Sequence, residues 1–192
     1  MNLKLLAAGA VLASTVSFGA VKPAQFSVLP GVQFGATKYD SVANFSFNLL
    51  GAENQNVSGL DVSLVGYRQV NRNFSGFHIA LFGFEAFRVN GNMSGVSLAL
   101  WNDVHGNLNG GTIGVVNTTD GNSVFNLGGV NITKGEATVQ LGFVNYAETT
   151  KGLQFGLVNA TRDLEGVQVG LVNYAANGVL PVLPIVNFRK SF

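Results

Sequence analysis

Along most of this chain large apolar residues alternate with small or polar ones, and the alternation returns on a fixed period. Asn recurs at Asn117, Asn131, Asn145, Asn159, Asn173 and Asn187, always 14 residues apart. Around it stand versions of one unit, clearest at Gly152 to Asn159 and Gly166 to Asn173. Upstream the unit continues with looser spacing, from Gly31, Asn44, Gly59, Gly76, Gly95 and Gly110 to Val124, Thr138, Gly152, Gly166 and Leu180. Aligned in columns, the units agree. One column is large and apolar (Val62, Ile79, Leu98, Ile113, Leu127, Leu141, Phe155, Val169), and the next is small (Ser63, Ala80, Ala99, Gly114, Gly128, Gly142, Gly156, Gly170). A third is polar: Asp61, His78, Ser97, Thr112, Asn126, Gln140, Gln154 and Gln168. Period-two alternation is the mark of a strand with two unlike faces. A unit this short cannot bury a core alone, so neighbouring copies must complete one another.

Two all-β arrangements satisfy the period. In a β-solenoid of 14-residue coils, like columns stack in parallel and the Asn column forms a ladder. The coil then needs a return face to pack against Leu/Phe/Leu, and the polar Gln/Gly side becomes the outward binding surface. In an antiparallel meander each unit is one strand and a tight turn. The links between units are polar, and Asp120-Gly121 and Asn177-Gly178 are residue pairs that tight hairpins prefer. These links favour the meander. A meander of 11–12 strands closes to remove its edges, with no helical segment to fill it. The apolar face then points to lipid and the polar column lines a lumen, the pattern of an outer-membrane barrel. That reading makes the eight polar-column residues candidate lumen-lining residues of a narrow pore. It makes the connections 66–75 and 84–94 exposed recognition loops. Against it, Leu153, Phe155 and Leu157 span only about 13 Å of strand at roughly 3.3 Å per residue, while the apolar band of such barrels is about 25 Å tall.

Composition sharpens this picture. The 192 residues fit one domain, and charged residues make up only 11%, against about 25% in soluble domains. The net charge of +1, with no basic cluster, excludes a nucleic-acid partner. No Cys is present, so disulfides and thiolate metal sites are excluded. Residues 1–19 read as a signal peptide, with Lys4 before an apolar run from Leu5 to Val16 and a cut after Gly19. Residues 20–192 form the single repeat domain. Tyr67, Trp101, Tyr146 and Tyr174 fall near expected strand ends, where interfacial aromatics belong. Phe188 and Phe192 resemble the terminal aromatic signal by which barrel-assembly machinery recognises outer-membrane barrels, although Lys190 breaks its alternation.

The segments Gly-Leu-Gln-Phe-Gly-Leu-Val-Asn at 152–159, Gly-Val-Gln-Val-Gly-Leu-Val-Asn at 166–173, Phe-Ser-Phe-Asn-Leu-Leu-Gly at 45–51 and Leu-Pro-Val-Leu-Pro-Ile-Val-Asn-Phe at 180–188 resemble Gram-negative "surface repeat" proteins. The resemblance covers roughly residues 25–192. It implies export and surface association, and it carries over no catalytic residue.

Chemistry is sparse. His78 and His105 are the only histidines, without metal-ligand spacing. His78 reads as one more member of the polar column, and His105 as a solvated turn residue. No Gly-x-Ser-x-Gly elbow occurs, and the glycines lack the Lys-Ser/Thr of a phosphate loop. The expectation is a non-enzymatic outer-membrane or surface protein without cofactor. Its partners would be outer-membrane lipid, the assembly machinery, and a surface ligand or phage met through the loops. A secreted solenoid binding module is the alternative.

Overall fold

A computed structural model describes residues 19–189. Residues 1–18, nearly all of the expected signal peptide, and Phe192 lie outside the described residues. The strands follow in chain order: β1 Val21–Leu29, β2 Val32–Phe34, β3 Ser41–Asn48, β4 Gly51–Asn54, β5 Val57–Ser63, β6 Gly66–Val70, β7 Phe74–Ala80, β8 Glu85–Val89, β9 Met93–Leu98, β10 Trp101–Val104, β11 Leu108–Thr119, β12 Ser123–Leu164, β13 Val167–Ala175 and β14 Val182–Phe188. No described residue is helical.

The pairing is parallel from coil to coil, so the chain is a β-solenoid. β1, β3, β5, β7, β9 and the first part of β11 stack as one sheet, while β4, β6, β8, β10 and the second part of β11 stack as another. In the regular half β12 runs on through three coils. Gln154 pairs with Gln168 and Asn159 with Asn173 across the next boundary.

This corrects the expected antiparallel barrel of 11–12 strands. The polar links are the corners of coils. Gly121 of the Asp120-Gly121 pair donates its N–H to the Gly106 carbonyl one coil back instead of closing a hairpin. The segments expected as recognition loops are also strand. Gly66–Val70 and Glu85–Val89 are β6 and β8 of the second sheet. Trp101 opens β10, and Tyr67 and Tyr174 lie one residue from an end of β6 and β13, but Tyr146 lies within β12.

The solenoid turns its polar side inward. Side chains at the Gln, Asn and Thr positions are buried, whereas Phe155, Leu157 and Val158 are exposed. The two adjacent outward residues Leu157 and Val158 mark a corner, where strand alternation is broken. Asn159 therefore points inward, not toward the side of Phe155. The Gln/Gly surface expected outside does not exist, because Gln154 and Gln168 are fully buried.

A polar interior is stable only if its groups are paired. Two side-chain ladders do this. Asn102, Asn117, Asn131, Asn145 and Asn159 each donate Nδ2–H to Oδ1 of the Asn in the following coil, at 2.8–2.9 Å. The same amides donate to a carbonyl at the next corner, as Asn145 does to Phe155 at 3.0 Å. Gln168 donates to Gln154 and Gln154 to Gln140, both at 2.8 Å. The Gln ladder thus runs backward along the chain while the Asn ladder runs forward. Where the Gln ladder ends, Gln168 Oε1 is left without a partner.

Apolar packing dominates the other end. Val57, Phe74, Met93, Leu108, Val70, Phe87, Val89 and Val104 form a buried cluster. These early coils are longer, and their first strands bulge. Asn44, Gly59, Gly76, Gly95 and Gly110 stack in one column with φ between 82° and 155°. Glycine suits that conformation, and Asn tolerates it best among the others.

Both ends are closed by antiparallel strands. β2 folds back on β1, and β14 pairs with β13. The units beginning at Gly31 and Leu180 are therefore caps, not coils. Pro184 lies within β14 and cannot donate a ladder hydrogen bond, which blunts that edge.

Candidate functional site

The eight residues of the polar column form one stack. The register pairs Asp61 with His78, His78 with Ser97, Ser97 with Thr112 and Thr112 with Asn126, and it pairs Gln154 with Gln168. All eight are buried to within 1%. They fill the space between the sheets and bond across coils, as Thr112 does to Asn126 at 2.6 Å. A packed interior replaces the barrel lumen. Phe188 lies in the terminal β14, half-exposed and opposite Val167.

At Asp61 and His78 this stack becomes charged. The Asn column of the second sheet is occupied here by Arg68 and Phe87. Arg68 Nε donates to Asp61 Oδ2 at 2.9 Å, and Asn48 donates to Asp61 Oδ1 at 2.9 Å. His78 Nδ1 lies 3.1 Å from Asp61 Oδ2, and its Nε2 lies 3.1 Å from Glu85 Oε2. Phe87 stacks on the imidazole at 4.0 Å between ring centres. Sequence reasoning placed Asp61 and His78 in one column but assigned Arg68 and Glu85 to loops. The available signal was period two in Glu85-Ala86-Phe87-Arg88-Val89, where alternate residues are buried.

Burial opposes charge on Asp61, but the Arg68 guanidinium and the His78 hydrogen bond outweigh it and hold the carboxyl well below its usual range. Burial likewise opposes the imidazolium, yet hydrogen bonds to Asp61 and Glu85 raise His78 to about 8. Because the folded value for His78 is raised, its stabilisation is complete below about 6.5 and is lost as pH rises through 8. Asp61 contributes above its ordinary value of 3.8 and less as pH falls. Urea unfolding is expected to show about 2 kcal/mol lost between pH 6 and 9, at about 1.4 kcal/mol per pH unit of displacement. His78→Gln should flatten that limb. A parent protein with equal stability at both pH values would refute the imidazolium.

No substrate can touch these buried atoms while the solenoid is intact. Among the described residues no group of three His, Cys, Asp or Glu side chains is placed to hold a metal ion. Arg72, from an expected recognition loop, borders a polar recess of about 520 Å³ with Tyr39, Gln55 and Asn56.

The accessible feature is apolar. The outer surface of the first sheet and its corner exposes Phe45, Leu60, Phe77, Phe82, Phe143, Phe155 and Leu171, each by 40% or more. Along the regular coils it carries a groove of about 900 Å³. Gly114, Gly128, Gly142, Gly156 and Gly170 form the groove floor, and apolar columns beginning at Ile113 and Val115 form its walls. Charged residues gather at the opposite corner, where Lys134 meets Asp120 at 2.7 Å, Lys151 meets Glu136 at 2.9 Å and Arg162 meets Glu148 at 3.0 Å. The outside of the coil is thus divided lengthwise into an uncharged face and an ionic edge. An exposed apolar surface this large marks an interaction site.

The chain matches no protein-family model, no characterised protein and no solved structure.

Proposed function

We propose that this chain is an exported, non-enzymatic β-solenoid binding module attached at the cell surface, and that the apolar face is its contact surface. The observation that carries this reading is the reversal of the usual pattern. The interior is polar and internally paired, while large apolar side chains such as Phe143 and Leu171 stand 66% and 68% exposed. Such a face costs free energy in water, at about 25 cal/mol per Å² of apolar area, until a partner covers it. Export is expected from residues 1–19, and surface association from the resemblance to surface repeat proteins. The only fully buried titratable cluster among the described residues holds the coils together, so catalysis has no accessible general base there.

Fractionation of expressing cells tests the proposal. The parent chain is expected in the envelope or surface fraction. Phe143→Asp combined with Leu157→Asp should move most of it to the soluble fraction, several-fold over the parent, without changing its circular dichroism. Equal distribution of parent and variant would refute the face as the contact surface. Retention in the cytoplasm would refute export.

A further inference from the structure

We infer that the partner covering the apolar face is a second copy of this chain, with the two solenoids face to face about a two-fold axis. The inference rests on the reading of that face as the contact surface and identifies its occupant: the surface retains the pair, and the Asp substitutions release the chain by splitting it.

Area comes first. From β1 to β14 the first sheet counts ten strand spacings, with β12 contributing three strands. At roughly 4.8 Å per spacing, and about 20 Å across the six residues from Leu153 to the exposed corner residue Val158 at roughly 3.3 Å each, the face covers about 1,000 Å². A standard stable interface needs about 800 Å² per partner.

Shape comes next. Beside the glycine-floored groove stands a ridge whose most prominent members are Val115, Phe143 and Leu171, exposed by 54%, 66% and 68%. Groove and ridge run parallel along the solenoid and repeat with the same strand spacing. A two-fold pair sets the ridge of each copy into the groove of the other, in step along the whole regular half. Self-complementarity of this kind is what an isologous interface requires.

Charge favours the same occupant. A two-fold axis brings like residues together, so a charged face would repel its copy. From Phe45 to Leu171 the outward positions of the first sheet and its corner carry no Asp, Glu, Lys or Arg. The ionic corner lies on the far side and stays in water in such a pair. A lipid surface fits less well. It would be held more strongly by cations flanking the apolar zone, and a fluid partner gains nothing from a groove shaped to a repeating ridge.

The test uses the chain purified from expressing cells without detergent. Light scattering after size exclusion is expected to give the mass of two chains. Phe143→Asp with Leu157→Asp should weaken the pair by at least about a hundredfold, the scale expected of central apolar anchors. Because the chain has no Cys, single introduced thiols report the axis. Ridge-in-groove packing needs an axis parallel to the solenoid, so Phe143→Cys and Leu157→Cys should each cross-link to itself, and Leu157→Cys should not cross-link to Gly129→Cys in mixed samples. The reverse pattern would overturn this pairing. A one-chain mass with flotation on phosphatidylethanolamine–phosphatidylglycerol vesicles would overturn the second copy and leave the contact face standing. A one-chain mass, with Asp substitutions that also leave envelope recovery unchanged, would overturn both.

Discussion

Gly156→Val is expected to abolish the cooperative melt of the regular half of the solenoid. A Cβ at Gly156 would collide with the Gly142 carbonyl oxygen and lie 2.6 Å from Asn145 Nδ2. Neither atom can retreat. The carbonyl belongs to the preceding coil, and the amide is committed to Asn159 Oδ1 and the Phe155 carbonyl. The substitution therefore forces coils apart and opens the Asn ladder together. Overpacking alone costs about 1–3 kcal/mol, and an unpaired buried amide adds about 1–3 kcal/mol. Gly129→Ala is the matched control. Its new Cβ would lie 3.0 Å from the Val115 carbonyl oxygen and in ordinary contact with Val115 Cγ1 at 3.7 Å, away from the Asn ladder. Thermal melts followed by circular dichroism compare the two. Should Gly156→Val melt within a few degrees of the parent, the stacking of glycine on glycine is wrong.

Arg68→Met is expected to cost about 3–5 kcal/mol, the range for removing one partner of a buried ion pair. It leaves Asp61 and Glu85, both buried, against the single charge of His78. Combining Arg68→Met with Asp61→Asn should recover part of that loss, because the uncompensated carboxylate disappears. The double-mutant cycle in urea measures the coupling. Additive losses would mean that Arg68 and Asp61 do not share charge in the folded protein. Arg68 Nη2 and Glu85 Oε1 have no hydrogen-bond partner, so the cluster is less fully satisfied than the ladders it interrupts.

Much of this fold was legible in the sequence, and the misreadings have physical causes. The 14-residue period and the column of Asp61, His78, Ser97 and Thr112 are the register of the sheets. Period-two alternation does not distinguish parallel from antiparallel neighbours, so Asp120-Gly121 read equally well as a hairpin turn and as a coil corner. The inside-out error arose from hydropathy. Leu153, Phe155 and Leu157 were assumed to seek a core or lipid, whereas amides can fill an interior if each meets its own kind one coil away. The corner was written in the sequence as two consecutive apolar residues before each Asn, as in Leu157-Val158-Asn159. Arg68 and Glu85 were missed because charge was read as a mark of solvent. Their spacing within short alternating strands placed them inside.

The end caps have a consequence for inheritance. β1–β2 and β14 terminate the stack without contributing to its repeat, and within the regular half the coils of β12 and β13 stack in one register. An in-frame duplication of one unit, such as 152–165, would insert a coil whose Gln, Asn and Gly find ready partners above and below. The molecule would lengthen by about one strand spacing, roughly 4.8 Å, while both caps stayed intact. Length is thus a quantity that replication slippage can adjust in discrete steps.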